Sequence, residues 1–144
     1  MSATAPCLFC AIVQGDAPAT HVWRDEVSVA FLDRSPVFKG HVLIVPVAHV
    51  VTFTDLPNDE RAIGAFFARV QAITSAVRAG LDADGTWVSM NNTVSQSVAH
   101  LHVHVVPRHR KDGLRGFYWP RQKYENDDEA MLFATRIAAA MPVA

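Results

Sequence analysis

His100-Leu101-His102-Val103-His104-Val105-Val106 alternates histidine with apolar residues and closes on a second valine. A two-residue period belongs to a β-strand, whose successive side chains point to opposite faces. Leu101, Val103 and Val105 then offer one face to a core, while His100, His102 and His104 share the other. Alternate residues lie about 6.5–7 Å apart along a strand, so the imidazoles form a row. A solvent-facing strand with polar residues that happen to be histidine is the plainest reading. Three of the chain's seven histidines in strict alternation over an apolar backing argue against it. Two chemical readings stay open: a metal chelate built on His-x-His, and attack on phosphorus by neutral imidazole with a neighbouring histidine stabilising charge.

Working outward, residues 86–90 form a second β-type run, joined to residues 101–106 by the polar loop 91–97. Before them Ile63, Phe66, Phe67, Val70, Ile73 and Val77 recur at three- and four-residue steps, which predicts a helix. Pro57 and Asn58 stand at its start and Gly80 at its end. Residues 22–24 and 27–32 read as a hairpin about Asp25-Glu26, and residues 41–45 as a strand closed by Pro46. Residues 7–13 read as a short helical turn stopped by Gln14-Gly15-Asp16, and residues 129–141 as an Ala-rich last helix. Clustered strands, one helix, then two more strands fit an α+β fold. The expectation is a mostly antiparallel five-stranded sheet with one main packed helix and short terminal helices.

The chain has 144 residues, half of them apolar and 19% charged, with a formal net charge of −1. That is enough to bury a core in one domain, expected over residues 1–144 with 109–144 as a variable tail and helix. The charge balance argues against a broad basic surface for nucleic acid. No stretch approaches the roughly 18 apolar residues of a membrane span, and the first residues lack the pattern of a secretory signal. With Cys7 and Cys10 as the only cysteines, a multi-bridge secreted scaffold is excluded; a reducing, cytoplasmic compartment is expected.

The triad segment, with Gln96-Ser97 before it and Pro107-Arg108 after it, resembles the motif of the histidine-triad (HIT) superfamily. The match extends to Ala30-Phe-Leu-Asp33, Ser35-Pro36, Gly40-His41, Pro46 and His49, and so covers residues 7–108. The resemblance implies a HIT-like fold and a nucleotide hydrolase or nucleotidyl transferase. Such an enzyme cleaves at the α-phosphorus of a purine nucleoside phosphoramidate or dinucleoside polyphosphate. His102 matches the histidine that forms a nucleotidyl-histidine intermediate, and an imidazole's ordinary pKa near 6.5 leaves a large neutral fraction for that role. His104 matches the histidine that steadies charge on the phosphate, and Ser97 a hydroxyl near the leaving group. Asp33 matches the carboxylate on the ribose hydroxyls, Phe31 a wall of the base pocket and Asn91 a phosphate contact. Gln96 matches a support of the same loop and His41 a residue just behind the site. The loop 91–97 departs from the Hint-like pattern: it is about two residues shorter and carries Ser95 where glycine is usual.

Cys7-Leu-Phe-Cys10 has a spacing suited to one metal ion; two free cysteines or a redox pair are the rival readings. Zinc-bearing members of the superfamily complete the ligand set with histidines that match His49 and His100. The resemblance therefore implies structural zinc at Cys7, Cys10, His49 and His100, and no catalytic metal or organic cofactor. It also implies a homodimer, in which a tail aromatic approaches the partner's site; Trp119, with Arg115, is the candidate here. The run Arg115 to Lys123 mixes basic and aromatic residues that can stack a base or anchor an interface. Two other functions stand beside the hydrolase: a zinc metallohydrolase using the triad as ligands, and a non-catalytic nucleotide-binding sensor or partner protein.

Overall fold

The computed structural model describes residues 6–115 and 121–142. Five strands form one antiparallel sheet in the order β1-β2-β3-β5-β4. They are β1 (His21–Arg24), β2 (Ser28–Leu32), β3 (Val42–Pro46), β4 (Gly85–Ser89) and β5 (Val103–Arg108). Helix α1 (Leu8–Gln14) precedes the sheet, α2 (Glu60–Gly80) joins β3 to β4, and α3 (Asp127–Ala139) follows it. The α+β expectation and each expected element are present, with shifted bounds. The described residues fall into two compact units, one ending at Asp112 and one beginning at Gly113.

Residues in β2 and β3 read as nearly unbroken apolar runs because both of their faces are covered. Ala30, Val42 and Ile44 face the side that holds Phe66, Val70, Ile73 and Val77 of α2, joined by Leu101, Val103 and Val105. Val29, Phe31, Leu43 and Val45 face the other side, against Phe9, Ile12 and Val13. The 3.6-residue stripe expected for α2 is therefore its buried face. Phe66 is 1% exposed, and truncating it to alanine should cost about 3–5 kcal/mol.

The helix ends follow local chemistry. Asp59 caps α2, its carboxylate accepting from the Arg61 N–H at 3.0 Å, so the helix starts at Glu60 instead of Pro57. At the other end Gly80 is still helical, and Asp82 takes the left-handed conformation (φ 51°). Cys7 caps α1, with its Sγ 3.4 Å from the Cys10 N–H, and Gly15 closes it at φ 85°. Asn126 caps α3, which starts at Asp127, two residues earlier than the Ala-rich run suggested, with three acidic residues in the first turn. The β1–β2 turn is held by Asp25, which accepts from the N–H groups of Val27 and Ser28 and pairs with Arg69 of α2 at 2.8 Å.

One strand boundary bears on function. The triad was expected inside a strand over 101–106, but β5 begins at Val103 and leaves His100 and His102 ahead of it. Ladder pairing with β3 runs from Val42↔Val105 to Ile44↔Val103. It lapses towards Pro46, which has no N–H to donate. Leu101 bonds instead to the Val50 carbonyl at 2.7 Å. The alternation of faces survives this: Leu101, Val103 and Val105 stay in the α2-side core.

Candidate active site and metal cluster

Two clusters meet at His100. In the first, α1 presents both cysteines, the segment after β3 presents His49, and the approach to β5 presents His100. Cys10 Sγ lies 3.2 Å from His49 Nδ1, and both sulfurs lie 3.5 Å from His100 Nδ1. The two Nδ1 atoms are 3.2 Å apart. His100, fully buried, uses Nε2–H to donate to the Pro46 carbonyl at 2.9 Å, which turns the Nδ1 lone pair towards the thiols. Burial holds its pKa below the ordinary value, partly opposed by the Pro46 bond, so the ring is neutral, the form a metal needs. Burial and the neighbouring Cys7 push the Cys10 thiol up; a bound cation would reverse that.

A tetrahedral zinc with bonds of about 2.0–2.3 Å sets its ligand atoms about 3.3–3.8 Å apart. The observed 3.2–3.5 Å separations lie at the short end of those edges, two inside the range and two just under it. Two thiols and two imidazole nitrogens within 4.8 Å of one another are also a donor set that zinc favours. These four residues fit the metal.

The second cluster begins at the next backbone atom. His102, 2% exposed, donates Nδ1–H to the His100 carbonyl at 2.8 Å, which leaves a lone pair on Nε2. Phe9 packs edge-on to this ring at 5.1 Å, and the ring of His104 lies 5.0 Å away. Val37 N–H donates to His41 Nδ1 at 3.1 Å, so the proton of neutral His41 is on Nε2, 2.9 Å from His104 Nδ1. His104 then accepts at Nδ1 and carries its own proton on Nε2, as a donor. Burial first, and then His102 and His41, lower the His104 pKa to about 4; Asp33 opposes this. His41 is lowered by burial, against the pull of Asp33 at 3.7 Å.

A cavity of about 190 Å³ opens over these rings. Phe31, Asp33, Ser97, His102 and His104 line it, together with Phe9, Ile12 and Leu43. His41 stands behind it. The loop side chains turn elsewhere: Asn91 donates to the Ser95 carbonyl at 3.2 Å, and Asn92 accepts from Phe53 N–H at 2.7 Å. Gln96 accepts from Thr93 N–H and donates to the Val51 carbonyl, at 2.9 and 2.6 Å. These bonds hold a tight loop in which Thr93 and Ser95 have positive φ. Trp119 lies outside the described residues. The sequence reading missed Arg34, which lines the cavity beside Asp33 and whose only signal was that adjacency.

Among the described residues, the ligand atoms of the three triad histidines do not gather into one metal-sized group. His100 belongs with the thiols, and His104 with Asp33 and His41. Both ring nitrogens of His41 are already engaged.

An α+β fold whose antiparallel sheet carries a thiol–imidazole cluster beside the buried His100 and His102 defines the class of protein. The HIT domain family model matches residues 14–111, and the chain belongs to that family. It is 40% identical over 111 residues to the uncharacterized HIT-like protein Rv1262c of Mycobacterium tuberculosis, covering 76% of each chain. It is 31% identical to the adenosine 5′-monophosphoramidase hnt1 of Schizosaccharomyces pombe, over 79% of this chain and 83% of that protein. The adenylylsulfatase HINT3 of Arabidopsis thaliana is 30% identical over 75% of this chain and 55% of its own length. A HIT-family crystal structure from Bacillus subtilis superposes with a TM-score of 0.84 at 30% identity, covering 96% and 99% of the two chains. A zinc-bound histidine triad protein from Mycobacterium smegmatis gives 0.69 at 36%, covering 94% and 97%. No helix among the described residues is long and apolar enough to cross a membrane.

Proposed function

We propose that this protein is a nucleotide hydrolase or nucleotidyl transferase acting at the α-phosphorus of a purine nucleotide conjugate, with His102 as nucleophile. The observation that carries the reading is the 2.8 Å bond from His102 Nδ1–H to the His100 carbonyl. It assigns the proton to one nitrogen and the reactive lone pair to the other, in a ring on the cavity wall. The named activities of hnt1 and HINT3, both on adenylyl conjugates, support the substrate class.

In the first step His102 Nε2 forms a bond to phosphorus as the bond to the leaving group breaks, and the leaving group takes up a proton. In the second, water or another acceptor attacks phosphorus and returns His102 to its starting form. His104 Nε2–H donates to a phosphate oxygen, its tautomer set by His41. Asp33 accepts from the ribose hydroxyls, Phe31 walls the base, and Ser97 stands near the leaving group. Asn91 and Gln96 keep the loop that carries Ser97 in shape. Cys7, Cys10, His49 and His100 would hold a zinc ion, which would staple α1 to the segment carrying His102 and leave the bond-making to the histidines. The protein acts in the cytoplasm as a homodimer.

Intact-mass measurement during turnover of an adenosine phosphoramidate tests this directly. A population of chain heavier by one nucleoside monophosphate is expected in the wild type and absent from His102→Ala. Hydrolysis without any adduct, lost on chelation and restored by zinc, would overturn the reading. Binding without hydrolysis across phosphoramidates and dinucleoside polyphosphates would leave a nucleotide sensor.

A further inference from the structure

The cavity over the triad has five polar side chains in its wall: Asp33, Arg34, Ser97, His102 and His104. The mechanism engages four and leaves Arg34 without a task. Asp33 Oδ1 accepts from Ser35 N–H at 2.8 Å, a turn that puts residue 34 at its apex just beyond the end of β2. Arg34 is exposed at the cavity rim. Among the described residues its guanidinium has neither hydrogen bond nor ion-pair partner, although Asp33 is its neighbour. It is the cavity's one permanent cation.

The rest of the slot is apolar, with Phe9, Ile12, Phe31 and Leu43 prominent. Such walls hold a purine by burial and stacking but do not distinguish one purine from another. A guanidinium does. It carries only donors, in a planar fork. The 6-oxopurines present two acceptors side by side, O6 and N7, whereas adenine pairs the N7 acceptor with an amino donor. Ribose hydroxyls anchored on Asp33 bring the attached ring within the sweep of the next residue's long side chain.

We propose that Arg34 makes this a site selective for 6-oxopurine nucleotides, guanine or hypoxanthine, through a forked contact with O6 and N7. The proposal rests on the nucleotide reading above and deepens it. Inosine and adenosine monophosphates carry the same ribose and phosphate, so the ratio of their affinities cancels the general attraction of a cation for an anion.

Calorimetric titration of the zinc-loaded full chain with AMP, IMP and GMP tests it. IMP and GMP should bind about tenfold more tightly than AMP. Arg34→Met keeps the stem and removes the fork; IMP and GMP should fall to the affinity of AMP, itself changed less than about twofold. Arg34→Lys keeps the charge and should still lose most of the discrimination. Equal binding of AMP and IMP by the wild type overturns the proposal. So does a ratio that survives Arg34→Met, or an equal weakening of all three ligands. Failure of the wild type to bind any of the three would overturn the nucleotide reading as well, and the two failures look different in the same titration.

Discussion

His100 and His102 are joined by a 2.8 Å bond from the Nδ1–H of His102 to the carbonyl of His100, whose own Nδ1 lies 3.5 Å from both cysteine sulfurs. A single residue thus serves the thiol cluster with its side chain and the nucleophile with its backbone. Whatever loosens the cluster tilts the peptide that sets the His102 tautomer.

Metal removal should therefore act on stability more than on chemistry. Cys7→Ser and Cys10→Ser should lose their zinc and melt at least about 5 °C below the wild type. Turnover of the fraction that remains folded should drop by roughly tenfold, the size of an orienting effect. Metal content by plasma spectrometry and a thermal melt check this. Zinc kept in the cysteine variants but lost from His102→Ala would give the metal to the triad instead.

Removing the nucleophile and removing its neighbour should differ. His102→Ala should lower kcat by of order 10⁴ or more. His104→Ala removes a donor to the phosphate and should cost about 10²–10³. Both should still bind nucleoside monophosphate, measured by titration.

Stability should fall as pH drops from about 6.5 to about 4. His104 takes up no second proton until about pH 4 in the folded chain, because burial and the neighbouring histidines disfavour its charged form. An unfolded chain takes up that proton near the ordinary 6.5, so it binds more protons across the window and unfolding is favoured. Above pH 6.5 the effect vanishes. His41 acts in the same sense through its own burial. Urea melts at pH 7, 5.5 and 4.5 should show a falling midpoint, and His104→Asn should flatten the slope.

Gly40→Ala should destabilise by about 1–3 kcal/mol. Gly40 has φ +95°, and a Cβ there would run into Leu81 Cδ1. A leucine tip can move, but the backbone angle cannot be relieved in the same way. The double variant with Leu81→Ala should therefore recover only a minor part of the loss. Because Gly40 precedes His41, the activity of Gly40→Ala should fall alongside its melting temperature.

The fold was largely readable because burial writes itself as a period. Phe66, Val70, Ile73 and Val77 announced one helix face, and Leu101, Val103 and Val105 one strand face, since each set packs on a single layer. The boundaries were less readable. Pro57 and Gly80 pointed only near the ends of α2, because the cap is a hydrogen bond that the Asp59 carboxylate accepts from the Arg61 N–H and the left-handed stop falls on Asp82. Phe31, which the resemblance marks as a wall of the base pocket, lines the cavity and also packs in the core against Phe9.

By itself the sequence determined the element types, the alternation that sends histidine to one face and apolar residues to the other, and the presence of two thiols and two imidazoles of the right chemistry, at Cys7, Cys10, His49 and His100. Those follow from side-chain chemistry and local period, which involve neighbours a few residues away. Tertiary structure alone decided which nitrogen of His100 and of His104 carries the proton, since the deciding partners, Pro46 and His41, lie more than fifty positions away. It alone brought Cys7 and Cys10 within reach of His49 and His100. And it alone put Arg34 into the cavity wall, because an exposed arginine two residues past a strand has no local signature of what it faces.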